Sequence, residues 1–106
     1  MEIEALPLEE LPEGSMRLIS GNGSTIGLYR CGGTLYAIED RCSHDDGPLC
    51  EGVWDADTCE VECPRHGSRF DLRTGIPLSL PAYLPVETYP VRVREDGMIV
   101  IDLEGG

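Results

Sequence analysis

The chain has only two histidines in 106 residues, and each follows closely behind a cysteine. One pair is Cys42-Ser43-His44 and the other is Cys63-Pro64-Arg65-His66, with residues 45–62 between them. Thiolate and neutral imidazole both bind iron and zinc well. Four such donors in two short loops therefore point to a metal centre. A single zinc ion would take all four in one tetrahedron. Zinc sites of this composition usually draw two cysteines from one turn and two histidines from another. Here each loop carries one of each. That arrangement suits a two-metal centre, in which both cysteines hold one metal, both histidines hold the other, and each loop spans the two.

The pattern Cys-x-His … Cys-x-x-His, followed by Gly67-Ser68, resembles the two cluster-binding loops of the Rieske family. In that family two histidines replace two cysteines on one iron of a [2Fe–2S] cluster. The likeness extends through Arg69-Phe70-Asp71, Thr74-Gly75 and a proline-containing stretch from Pro77 to Pro85. It implies one [2Fe–2S] cluster per chain, held by Cys42, His44, Cys63 and His66. It also implies that Ser68 offers its hydroxyl to a bridging sulfide, and that the Pro77–Pro85 stretch covers one side of the cluster.

The same resemblance implies a reduction potential. Rieske centres lie at roughly −150 to +300 mV, above all-cysteine clusters, because fewer thiolates leave the site less negative. High-potential members carry an extra cysteine in each loop and join the loops by a disulfide. Gly47 and Arg65 stand at those positions here. Such members also place a tyrosine hydroxyl near a ligand sulfur, where this chain has Phe70. Asp45 and Asp46 add negative charge beside His44. Only Ser68 pulls upward, so the expected potential is in the low part of the range. Arg65, Arg69 and Arg73 surround the second loop, either to pair with Asp45, Asp46 or Asp71 or to dock a partner.

Composition narrows the function classes. Twenty acidic residues against eight basic ones give a net charge of −12. Phosphate backbones and anionic membrane surfaces would repel such a chain. No apolar run approaches the ~20 residues of a membrane span, and the opening Met1-Glu2-Ile3-Glu4 is not a signal sequence. The expected location is the cytoplasm. Lysine and glutamine are absent and Asn22 is the sole asparagine. A shortage of thermolabile amides fits a heat-exposed protein and equally fits coding bias.

Five cysteines leave Cys31, Cys50 and Cys59 outside the ligand set. In a reducing compartment these read as small buried or half-buried residues. Cys31 adjoins the turn Gly32-Gly33, where exposure is open. The sequence also admits a Cys50–Cys59 bridge as the lesser alternative.

Short apolar runs punctuated by turn residues predict an all-β fold. Strands are expected at Glu2 to Leu6, Ser15 to Ile19, Thr25 to Arg30, Thr34 to Ile38, Gly52 to Trp54, Thr58 to Glu62, Glu87 to Arg94 and Met98 to Leu103. Leu8 to Leu11 allows one brief helical turn between prolines. Pro77 to Pro85 cannot be an inner strand. The family likeness implies an antiparallel β-sandwich base of residues 1–40 and 71–106, with residues 41–70 as an inserted cluster-binding subdomain. Trp54 is expected to pack in the core.

The functional expectation is a one-electron carrier, a ferredoxin that takes electrons from a reductase and delivers them to an oxygenase or another redox protein. Alternatives are a small Rieske subunit of a larger reductase and a ferredoxin tied to iron–sulfur assembly. An oxygenase would need a second iron held by two more histidines and a carboxylate, and this chain has none to spare.

Overall fold

A computed structural model describes residues 1–21, 23–43 and 47–103. His44, Asp45 and Asp46 lie outside the described residues, as do Asn22 and residues 104–106. Ten strands and one short 3₁₀ turn make up the regular structure of the described residues. The strands are β1 (Glu2–Pro7), β2 (Met16–Gly21), β3 (Ser24–Cys31), β4 (Thr34–Glu39), β5 (Trp54–Asp55), β6 (Glu60–Glu62), β7 (Arg69–Asp71), β8 (Thr88–Tyr89), β9 (Val91–Val93) and β10 (Met98–Asp102). The 3₁₀ turn is Leu8–Glu10, the brief helix that the flanking prolines allow.

The strands form three antiparallel sheets, ordered β1-β10-β9, β2-β3-β4-β8 and β5-β6-β7. The hairpin β3–β4 is the wall they share. Successive side chains on a strand face opposite ways. On β3, Ile26 and Leu28 enter one buried cluster with Leu6, Leu11, Ile99 and Ile101. Tyr29 and Cys31 face the other way, into a second cluster with Cys42, Leu49, Val61, Cys63, Phe70 and Leu72. On β4, Ala37 belongs to the first cluster and Ile38 to the second. One hairpin therefore closes the sandwich core and floors the core beneath both cysteine–histidine loops.

The β3–β4 turn is built from Gly32 and Gly33, whose φ values of 62° and 78° suit residues without a Cβ. Both amides donate to the Glu13 carboxylate, at 2.8 and 2.7 Å. This pins the end of β3 to the preceding loop.

Two stretches differ from the expected strands. The stretch Glu87 to Arg94 is divided at Pro90, with β8 pairing to β4 and β9 pairing to β10. Proline has no N–H for a ladder, and the chain changes sheets there. The hairpin through Asp55 is shorter than expected because its turn is longer. The Asp55 side chain accepts from the amides of Asp57 and Thr58, and its carbonyl accepts from Cys59. Strand pairing resumes only at Glu60. No helix of the described residues is long and apolar enough to cross a membrane.

Close backbone approach fixes where the small sheet meets the second loop. A Cβ on Gly52 would collide with the backbone carbonyl oxygen of Glu62 and lie 3.1 Å from Pro64. Backbone on that side leaves no flexible atom to yield. Gly52→Ala is expected to cost about 3 kcal/mol, the upper part of the overpacking range. At Gly27 the neighbours are side-chain atoms of Cys50 and Tyr29 and the overlap is smaller than at Gly52, so Gly27→Ala should cost less. Urea denaturation midpoints of the two variants check this order.

Candidate metal centre

Cys42 follows β4 and is completely buried; Cys63 follows β6 and is 1% exposed. Both belong to the same buried cluster and neither is in a disulfide. His66 lies on the surface. Of the four expected ligands, these three are described and His44 is not. Among the described residues no group of three or more His, Cys, Asp or Glu side chains is gathered tightly enough to hold a metal ion by itself.

The backbone closes each loop on itself. In the first, the Cys42 amide donates to the Gly47 carbonyl at 2.8 Å. Asp40 then catches the returning chain. Its Oδ1 accepts from the amides of Leu49 and Cys50, at 2.9 and 2.7 Å. In the second, the Cys63 amide donates to the Ser68 carbonyl at 2.8 Å and the Gly67 amide donates to the Cys63 carbonyl at 2.9 Å. Gly67 has φ of 77°, which lets the chain reverse directly after His66.

The proline-containing segment is stitched to both loops. The Ser43 hydroxyl donates to the Leu84 carbonyl. The Ala82 amide donates to the Ser68 hydroxyl oxygen at 3.0 Å. Further along, the Arg69 amide donates to Ser79 Oγ at 2.9 Å, and the Leu78 amide donates to the Arg69 carbonyl at 2.6 Å. Ser68 is fully buried. Because its oxygen accepts from Ala82, its own proton is left to donate elsewhere. Phe70 is also fully buried and offers no donor.

The arginines divide as follows. Arg73 pairs with Asp71 at 3.1 Å and donates to the Thr58 carbonyl. Arg69 pairs with Glu60 at 3.6 Å rather than with an aspartate. Arg65 is exposed beside His66. Trp54 packs against the core, its ring edge-on to Tyr29 with centroids 5.0 Å apart.

The cysteines outside the loops correct the sequence reading. Cys31 is buried, not exposed, and is joined to Cys59 in a disulfide. The admitted Cys50–Cys59 bridge does not form, and Cys50 is a buried thiol. Cys59 has a left-handed backbone, φ 57°. Nothing in the spacing of three spare cysteines distinguishes the pairings. Asp40 and Ser43 also went unread, although an acidic side chain just before a loop is a common amide acceptor.

Residues 2–90 match the Rieske [2Fe-2S] domain. The chain belongs to the Rieske [2Fe–2S] family. Over 101 residues it is 46% identical to the 3-phenylpropionate/cinnamic acid dioxygenase ferredoxin subunits of Escherichia coli and Shigella flexneri, covering 95% of this chain and 92% of each relative. Among solved structures it superposes on the ferredoxin of carbazole 1,9a-dioxygenase from Nocardioides aromaticivorans with a TM-score of 0.87 and 37% identity. That match covers 95% of this chain and 96% of the other. A complex of reduced oxygenase and oxidized ferredoxin of carbazole 1,9a-dioxygenase matches at a TM-score of 0.85 and 33% identity, over 94% and 91% of the two chains. This Rieske chain carries one [2Fe–2S] cluster, and the described residues fit it. Two buried thiols that are not cross-linked belong to one core cluster, and buried Ser68, whose carbonyl accepts from the Cys63 amide, has a hydroxyl proton to give.

Beneath this site, Cys50 and Tyr29 form a buried acid pair that is neutral at ordinary pH. Burial pushes the Cys50 thiol from 9.0 up to about 12. Burial also raises the Tyr29 hydroxyl, helped by the neighbouring Cys50. The Tyr29 hydroxyl has no aligned hydrogen-bond partner among the described residues. Folding thus favours the protonated forms. The Cys50 contribution to stability is complete below about pH 9 and is lost as pH rises towards 12, and the Tyr29 contribution begins to fall only above about pH 10. Urea midpoints should hold steady for this pair up to pH 9 and fall above it, and Cys50→Ala should flatten that decline. An unchanged alkaline decline in the variant would remove Cys50 from the account.

Proposed function

We propose that this chain is the ferredoxin component of an aromatic-ring dioxygenase system, with its cluster held by Cys42, His44, Cys63 and His66. Residues 41–70 are read as the cluster-binding subdomain, and residues 1–40 and 71–106 as the base. The observation that carries the reading is the contrast between buried Cys42 and Cys63 and surface His66, on a chain that matches dioxygenase ferredoxin subunits over nearly their whole length. When bound, the cluster supplies one electron at a time in the Rieske range of potential. It carries no substrate chemistry, so the protein is a carrier rather than an enzyme.

This chain's own residues do three things for that task. The core beneath Cys42 and Cys63 keeps water from the thiolate side. Ser68 is held by Ala82 so that its hydroxyl can serve the cluster. His66 and the neighbouring Pro64, Arg65 and Gly67 stay at the surface, where an electron-transfer partner can reach the imidazole. Beside them the proline segment exposes Leu80, Tyr83 and Leu84, an apolar rim for docking. The electron donor is a reductase and the acceptor an oxygenase, and the net charge of −12 favours partners with positive faces. We place the carrier in the cytoplasm, in keeping with the absence of a membrane-crossing helix among the described residues.

Dithionite reduction followed by low-temperature EPR tests the ligand set. The expected result is a rhombic S = ½ signal with an average g below that of an all-cysteine cluster, and about two irons per chain. A silent spectrum with one zinc per chain would sink the carrier reading. Ser68→Ala should lower the potential. Leaving the Ala82 amide without its acceptor should also cost about 1–3 kcal/mol. Redox titration and denaturant unfolding of the same variant measure the two effects separately.

A further inference from the structure

Cys31 and Cys59 lie 28 residues apart in sequence, with Cα atoms 6.0 Å apart in their disulfide. Each end is anchored in a different sheet. Cys31 closes β3, against the turn whose amides are held by Glu13. Cys59 lies in the β5–β6 turn, its amide donating to Asp55 and its carbonyl accepting from Leu72. The segment between them contains β4, the whole first ligand loop and β5, and Cys63 stands just beyond Cys59. No cysteine of either ligand loop is spent on a cross-link. The bridge therefore joins the supports of the two loops without consuming either loop's cysteine.

Both half-cystines are buried, at 1% and 7% exposure. A dithiol reductant must reach a sulfur atom to exchange with it, so burial protects the bridge in a reducing compartment.

We propose that the Cys31–Cys59 disulfide is a standing clamp that holds the sheet β5-β6-β7 against β3–β4 and sets how slowly the cluster is lost. It stays oxidised while the cluster cycles and does not set the potential. The cluster half of this inference rests on the ligand reading above.

The first test is alkylation of the wild-type protein, denatured without reductant, followed by mass spectrometry. Three modified cysteines are expected, and five would overturn the clamp. The second compares the holoprotein with the double variant C31S/C59S at elevated temperature, following the visible absorbance of the cluster. Loss at least tenfold faster in the variant, with unchanged EPR line shape and potential, is the expected result. Equal rates would overturn the clamp, and a shifted potential would overturn its independence from the ligands. If the serine variant does not fold, C31A/C59G replaces it, since glycine accepts the left-handed backbone at residue 59. Should the wild type contain no iron, the ligand reading has failed. The thermal midpoints of the same proteins then decide whether the bridge clamps the two sheets.

Discussion

The rest of the molecule depends on the β3–β4 hairpin being buried on both faces. A two-stranded unit with one wet face would support the sandwich or the metal site, not both. Here Ile26, Leu28 and Ala37 serve the sandwich core, while Tyr29, Cys31 and Ile38 serve the core under the loops. Antiparallel register makes this assignment rigid, because a slip by one residue would exchange the two faces. Leu28 opposite Ala37 and Tyr29 opposite Tyr36 fix that register. The two glycines at the turn, held by Glu13, leave little freedom to shift it.

From this wall outward, order passes to loops that have little regular structure of their own. Such segments need side-chain acceptors in place of strand ladders. Asp40 supplies one for the returning first loop, and Ser43 and Ser68 tie both loops to the proline segment. Each is a short polar side chain placed where the backbone lacks a partner. Pinning the proline segment to both loops also makes the three one surface.

The all-β class was legible because it depends on local order, and the donor pattern proposed above could be named because it depends on residue type. Two Cys–His pairs can be read without knowing how the chain folds, and turn residues at short intervals leave little room for helices. What escaped the sequence were the relations between distant positions. Pro90 sits within an alternating run that reads as one strand, yet its missing N–H marks where the chain passes from β8 to β9 and changes sheets. Cys31 adjoins a turn, which leaves its exposure open, but period-two alternation places it on the same face as Tyr29, under the loops. Its partner could not be chosen from spacing, since loop-closure entropy changes slowly with length and favours no pairing strongly. Asp40 looked like one more member of an acidic chain until the amides of Leu49 and Cys50 were found on it.

An electron carrier of this kind faces opposing demands. Its histidine side must be accessible enough for transfer, yet the cluster must not dissociate through the same opening. Burying His66 would secure the cluster at the expense of the partner. The structure separates the two needs in space. Around the second loop residues 64–67 are exposed, as are Leu80, Tyr83 and Leu84 of the proline segment, while Ser68 and the Cys31–Cys59 bridge are buried and Asp40 is half-buried. None of these three restraints is part of the four-residue donor pattern. On the ligand set proposed above, the same donors without this support would stand in looser loops, so the β3–β4 wall with its ties adds what a donor pattern alone does not supply.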